Sequence, residues 1–352
     1  MTESEILFER KGSFGVVTLN RPDALNALSR NMCTAFRAKL IEWERESSIG
    51  AVLVKGAGER AFCAGGDIRR VREEAMSDRD HACGFFHEEY RLNALIHHYS
   101  KPYVALIDGI VMGGGAGVSI HGDFRVVGDK TLFAMPETAI GLFPDVGGGH
   151  FLTRLHDGLG LYYALTGARA KAADAMAAGL ATHYVATREA QAMERDLTAL
   201  SLGAHAHAQI EAVLDDYSSD PGAAHVNQIR PSLKRLFEGH ETFTEFYAAL
   251  VDDGHDVAND MRRILSRMSP TSLKLTFEQM RRARTLDLDD ELRMEYAMVR
   301  RVLDGHDFYE GVRAVLVDKD KAPRWSPANL DDVTDAEISA YFEPLDRGLT
   351  LP

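Results

Sequence analysis

Asp108-Gly109-Ile110-Val111-Met112-Gly113-Gly114-Gly115-Ala116-Gly117-Val118 places four glycines within the five positions 113–117. They follow an apolar run read as a buried strand, Val104-Ala105-Leu106-Ile107, and precede a short helix ending near His121. Glycine lets backbone approach a ligand closely and tolerates positive φ. A helix N-terminus leaves its first amides unpaired and partially positive. Such a turn holds an anion or a developing oxyanion. Glycines that merely permit tight packing are the plainer alternative on this segment alone.

Upstream, Arg60-Ala61-Phe62-Cys63-Ala64-Gly65-Gly66-Asp67 has the same character. It lies behind a short buried strand, Ala51-Val52-Leu53-Val54. Two amides from two turns converging on one carbonyl oxygen make an effective oxyanion hole, and losing one donor typically costs about 3–4 kcal/mol of transition-state stabilisation. Asp67 reads first as the cap of the helix that follows it. Cys63, beside this turn, has no base next to it in sequence and reads as a small buried residue rather than a nucleophile.

Further outward the order is strand, strand, helix, strand, helix, strand, helix, strand up to residue 135. Ile6–Phe8 and Phe14–Leu19 form a hairpin, a helix runs over 29–46 from the N-cap candidate Ser29, and another spans about 80–98. This is an α/β pattern with short crossovers. No Gly-x-Gly-x-x-Gly opens the first helix, so the dinucleotide-binding fingerprint is missing. From about residue 147 the chain reads as almost wholly helical. We divide it into a core with the active site over residues 1–202 and a helical C-terminal region over 203–352.

Downstream, Phe133-Ala134-Met135-Pro136-Glu137-Thr138-Ala139-Ile140-Gly141-Leu142-Phe143-Pro144-Asp145-Val146-Gly147-Gly148-Gly149 sets two carboxylates among apolar neighbours, each directly after a proline. Proline fixes the local backbone. An acid in apolar surroundings has its pKa pushed up, and paired acids in different surroundings divide base and acid roles. Caps of a turn (Glu137) and of a helix over 147–157 (Asp145) are the structural alternatives.

Composition narrows the classes. The chain has 352 residues, 45% hydrophobic and 26% charged, an ordinary globular mix. The net charge of −13 argues against a nucleic-acid partner, which needs a basic face. No apolar run approaches the roughly 18–20 residues that span a bilayer, so no membrane association is expected. Three cysteines make no disulfide framework, and the histidines show no metal spacing, so no metal is expected. The N-terminus MTESEILFERKG lacks a signal-peptide core, from which a cytoplasmic location is expected.

At these segments the sequence resembles the enoyl-CoA hydratase/isomerase (crotonase) superfamily over residues 1 to about 200. More narrowly it resembles the 3-hydroxyisobutyryl-CoA hydrolase subfamily, through Phe86–Asn93 (FHEEYRLN), Met112–Gly122 (MGGGAGVSIHG), Ala134–Gly149 (AMPETAIGLFPDVGGG) and Asp307–Trp325 (DFYEGVRAVLVDKDKAPRW). The resemblance implies a crotonase-like spiral of ββα units and an oxyanion hole from the amides of Gly66 and Gly114. It implies hydrolysis of a short branched 3-hydroxyacyl-CoA, a step of valine catabolism. Coenzyme A enters as part of the substrate, with no separate cofactor.

Glu137 matches one of the two glutamates of the superfamily's hydratases. The position of the other is Gly117, which cannot act as an acid or base. Asp145 matches the extra acid of the hydrolases. In this reading Glu137 activates water or attacks the carbonyl to form a mixed anhydride, and Asp145 positions the reaction or helps protonate the thiolate. Substrate contacts are implied for Glu89 (to the 3-hydroxyl), Asn26, Asp67 and Ile68. Arg69, Lys101, Lys319, Lys321 and Arg324 are candidate cations for the coenzyme A phosphates. A homo-oligomer is a further expectation, without a subunit count. The competing classes are an enoyl-CoA hydratase or isomerase and a non-catalytic acyl-CoA-binding protein.

Overall fold

The computed structural model describes residues 4–351; Met1–Glu3 of the N-terminal reading lie outside them. Among the described residues ten strands form two sheets. The large sheet has the order β1 (Ile6–Lys11), β2 (Phe14–Leu19), β3 (Ala51–Gly56), β5 (Tyr103–Ile107), β7 (Phe124–Val127), β10 (His183–Tyr184). The small sheet has the order β4 (Ala61–Cys63), β6 (Ile110–Met112), β8 (Leu132–Ala134), β9 (Ala170–Lys171). Only the pairs β1–β2 and β8–β9 are antiparallel. Successive pairs β3/β4, β5/β6 and β7/β8 each give one strand to each sheet, which is the spiral of ββα units.

The sequence order up to residue 135 counts five strands against the eight found: β4, β6 and one of the adjoining pair β7/β8 are added, and the region after 147 gains β9 and β10. The added strands have only two to four residues, too few for periodicity to register. The longer elements fall where patterning puts them. Helix α1 (Arg30–Arg45) starts behind Ser29, whose hydroxyl accepts from the Met32 amide at 3.2 Å. Such a cap contributes about 1 kcal/mol. Helix α2 (Ile68–Ala75) follows Asp67, and α3 runs over Arg79–His97.

Strands buried on both faces need a core on each side. Val17, Leu19, Val52 and Val54 face the main cluster, while Val16, Ala51, Leu53 and Val104 face a second one, an alternation with the strand period of two. The second cluster is closed by Met193, Leu197, Ile210 and Leu214, from the helices Ala190–Ala199 and Ala206–Tyr217. The main cluster runs from Ile6 to Leu349, so the C-terminal helices share the core of the spiral. No helix among the described residues is long and apolar enough to cross a membrane.

Candidate active site

Three neighbouring parallel strands of the small sheet end at one place. Register pairs Cys63 of β4 with Val111 of β6, and Met112 of β6 with Ala134 of β8. The chain leaving each strand therefore enters the same crevice at the carboxyl ends of the strands. β4 delivers Gly65-Gly66, β6 delivers Gly113-Gly114, and β8 delivers Glu137. A shared strand direction thus converts three segments separated by dozens of residues into one site.

The two glycine turns converge. A methyl group built on Gly114 would stand 3.1 Å from the Gly66 amide nitrogen, and one on Gly65 would stand 3.8 Å from the Gly114 nitrogen. Among the described residues neither the Gly66 nor the Gly114 amide donates to a protein acceptor. Gly65 (φ +116°) and Gly113 (φ +47°) adopt backbone that a side chain would strain. Short helix α4 (Gly114–Gly117) starts at the second turn, with Gly114 as its first residue. Two unpaired amides side by side can serve as the donor pair of an oxyanion hole.

Three carboxyls surround the same cavity of about 510 Å³, whose walls include Gly66, Gly114, Glu89, Glu137 and Asp145. All three are buried, with 2–5% of each residue exposed. None pairs with a cation among the described residues. One oxygen each of Glu89 and Glu137 has no hydrogen-bond partner. A methyl group on Gly113 would lie 2.8 Å from Glu137 Oε1, so this acid borders the oxyanion turn. Glu89 comes from the inner face of α3 with Tyr90, one position along. The Tyr90 hydroxyl donates to Asp145 Oδ2 at 3.0 Å.

These surroundings separate the acids. Burial pushes Asp145 up to about 7, against which the Tyr90 hydroxyl stabilises its charge. Glu137 is held well above the carboxylate range by burial and then by the Asp145 charge. Glu89 is raised by burial, then by Asp145 and Glu137. Three acids around one buried cavity do not ionise together, so the first charge settles on Asp145 and the site keeps protons to give.

The capping alternatives for the two acids fail. Glu137 opens a 3₁₀ turn, Glu137–Ile140, without capping it, and Asp145 points to Tyr90 while Gly147 caps the helix Gly148–Leu152. Ile68 lines the cavity. Asn26 and Asp67 do not, and their side chains are engaged within the protein. Asn26 accepts from the Arg21 amide and donates to the Ala57 and Ala61 carbonyls. Asp67 caps α2 and pairs with Arg21 at 2.9 Å. Both brace the loops that carry the site. Cys63 is fully buried and its thiol is pushed up to about 12 by burial, so it offers no thiolate.

The space around Gly117 is filled. A methyl group there would stand 2.7 Å from both Asn93 Nδ2 and Val146 Cβ, so no glutamate fits. Among the candidate cations, Lys101 donates to the Glu46 carbonyl at 2.8 Å and Arg69 pairs with Glu73. Lys319, Lys321 and Arg324 are exposed just beyond Val315 and Leu316, which line the cavity from a π-helical turn. Sequence reading missed Tyr90 and the cavity-lining Arg169, which has no ion-pair partner among the described residues. Tyr90 was detectable, since Phe86, Tyr90 and Asn93 fall on one helical face. Arg169 had no such signal. No group of three or more His, Cys, Asp or Glu among the described residues is arranged to hold a metal.

A two-sheet ββα spiral with paired free amides facing buried acids is the architecture of the crotonase enzymes, and the chain belongs to the enoyl-CoA hydratase/isomerase family, whose profile matches residues 14–342. Its relatives sharpen the class. It is 46% identical over 352 residues to the 3-hydroxyisobutyryl-CoA hydrolase, mitochondrial, of Danio rerio, covering 98% of this chain and 91% of that protein. It is 44% identical over 351 residues to that of Homo sapiens, covering 97% and 89%. Among solved structures it superposes on a carnitinyl-CoA dehydratase from Mycobacterium thermoresistibile with TM-score 0.91 at 41% identity, covering 99% of both chains. An enoyl-CoA hydratase from Rhodobacter sphaeroides 2.4.1 gives 0.89 at 33% identity, covering 99% of this chain and 100% of that one. The cytoplasmic expectation is corrected: these hydrolase relatives are mitochondrial enzymes by name. A missing signal-peptide core speaks only to secretion and does not choose among compartments inside the cell.

Proposed function

We infer that this chain hydrolyses a short branched 3-hydroxyacyl-CoA thioester, converting 3-hydroxyisobutyryl-CoA to 3-hydroxyisobutyrate and coenzyme A, a step of valine catabolism. The observation that carries this is the pairing of the free Gly66 and Gly114 amides with Glu137 and Asp145 around one cavity, while position 117 is closed to a hydratase glutamate. The hydrolase relatives support the substrate class.

The thioester oxygen sits between the two amides and gains their hydrogen bonds as it becomes an oxyanion. Water adds to the acyl carbon, the C–S bond breaks, and the sulfur leaves with a proton. As Asp145 ionises near pH 7, Glu137, held higher by burial and by the Asp145 charge, keeps its proton. With the charge favoured on Asp145 by Tyr90, Asp145 takes the proton from water and Glu137 supplies the one the sulfur needs. The two acids thereby exchange the roles that the resemblance suggests. Glu89, protonated, donates to the substrate's 3-hydroxyl region. Coenzyme A enters as substrate, and Arg169 at the cavity wall meets its phosphates.

A panel of acyl-CoAs assayed for free thiol tests the reading. The highest kcat/KM is expected for 3-hydroxyisobutyryl-CoA, and absence of thiol release from every member overturns it. Single turnover in oxygen-18 water is expected to label only the product acid; label in Glu137 supports the anhydride route instead. The dehydratase and hydratase names of the solved neighbours favour hydration as a second reading. It predicts loss of enoyl absorbance with no thiol released.

A further inference from the structure

Asp145 stands in a loop whose backbone is out of the ordinary. Val146, the next residue, has φ +55°, a left-handed conformation that a β-branched side chain rarely adopts. Its side chain is fully buried and packs against Gly117. Such a conformation persists only where its surroundings over-determine it.

Three hydrogen bonds do so, and two come from the C-terminal helices. The Pro144 carbonyl accepts from Gln279 Nε2 at 2.8 Å, fixing the peptide before Asp145. The Gly147 amide donates to Glu295 Oε2 at 2.8 Å, and the Val146 carbonyl accepts from His121 Nε2 at 2.8 Å, fixing both ends of the Val146–Gly147 peptide. His121 is a neutral donor here, since burial pulls its pKa down to about 3. Gln279 lies on the helix Pro270–Ala283, and Glu291 and Glu295 lie one turn apart on the helix Leu288–Val302.

Both glutamates and the glutamine are fully buried. The Gln279 amide also donates to Glu291 Oε1 and Glu295 Oε1, each at 3.2 Å. Burial raises both acids and each raises or hydrogen-bonds the other, so the pair retains a proton where isolated glutamates are ionised. Two buried acids on one helix face are a costly way to satisfy a single amide. Their placement directly behind a reacting carboxyl gives that cost a use.

We propose that Gln279, Glu291 and Glu295 are positioning residues that clamp the Pro144–Gly147 backbone from the C-terminal helices and so aim the Asp145 carboxyl at the acyl carbon. The proposal rests on the hydrolase reading above for its catalytic consequence, but not for its structural one. None of the three residues lines the cavity, so they act through Asp145 rather than on substrate.

The experiment compares Glu295→Leu and Glu295→Gln in the full chain, by hydrogen–deuterium exchange over residues 141–149 and by kcat and KM for thiol release. Glu295→Leu removes the acceptor; Glu295→Gln keeps an acceptor oxygen. The expected result for Glu295→Leu is faster exchange confined to 144–149, with kcat about 10- to 100-fold lower, the scale of a slightly misplaced catalytic group. KM is expected to stay within about threefold, because binding contacts are untouched. Glu295→Gln restores slow exchange and most of kcat. Unchanged exchange over 144–149 overturns the clamp, as does a loss of activity matching only the unfolded fraction. Should Glu295→Leu not fold, Gln279→Met, close in volume but without the donor to Pro144, is held to the same outcomes. Should the wild-type protein release no thiol, the hydrolase reading fails while the exchange comparison still decides the clamp.

Discussion

The active site has two walls built by different means. The oxyanion wall is backbone: Gly66 and Gly114 are placed by paired strands of the small sheet, and their amides carry no titratable group. The acid wall is side chains on irregular loop, held by Tyr90 of α3 and by helices more than a hundred residues further along. The oxyanion wall is set once the sheet forms and does not depend on pH. The acid wall depends on burial and on distant packing, and it is where pH and remote mutations act.

The largest effects test whether both walls are needed. Glu137→Gln and Asp145→Asn are each expected to lower kcat for thiol release by at least about 100-fold, as for essential acid–base groups. Near-normal turnover in both would break the acid wall as described. Gly114→Ala is expected to cost about 100-fold with the fold retained by circular dichroism, because its methyl group enters the space between the Gly66 amide and Glu89. Full activity there would break the other wall.

Smaller effects sharpen the contrast in pH behaviour. The acid limb of kcat/KM is expected near pH 7, where Asp145 ionises, with activity rising as pH rises through it. Tyr90→Phe removes the donor that stabilises the Asp145 charge, so the limb moves to higher pH by about half a unit to one unit. A limb that stays in place detaches Tyr90 from the chemistry.

Glu291 gives the stability counterpart. Its folded-state value is raised by burial from 4.5 to about 7. The stability from its retained proton is therefore complete below about pH 4.5 and is lost as pH rises through about 7. Glu291→Gln removes that titration, and the drop in Tm between pH 5 and pH 8 is expected to shrink by about 2–4 °C. An unchanged drop measured by calorimetry shows that Glu291 does not titrate in this range. Smallest of all, Arg169→Ala is expected to raise KM about two- to fivefold at low salt with kcat unchanged, the scale of an exposed ion pair. The difference should fade as salt is added.

The same division governs what sequence discloses. The glycine turns were legible because glycine density marks backbone whose use is local, and Glu137 and Asp145 were legible as acids in apolar stretches. Asn26 and Asp67 were ambiguous in sequence because polar residues beside a site serve equally to brace its loops, and their bonds here are within the protein. The strands β4, β6, β9 and β10 carry too few residues to show a period. Gln279, Glu291 and Glu295 read as one side of amphipathic helices, and only the tertiary fold sets them behind Asp145. Compartment was misjudged because no packing argument bears on it.

Position 117 bears on which single substitutions this fold accepts. With Val146 folded over Gly117 and Asn93 against it, the space that a side chain at 117 would need is occupied from two other segments. A single codon change there meets a filled site, and emptying it first disturbs the residue next to Asp145. A larger residue at 117 is therefore accommodated only together with changes at 93 or 146, so the two buried segments and this glycine constrain one another.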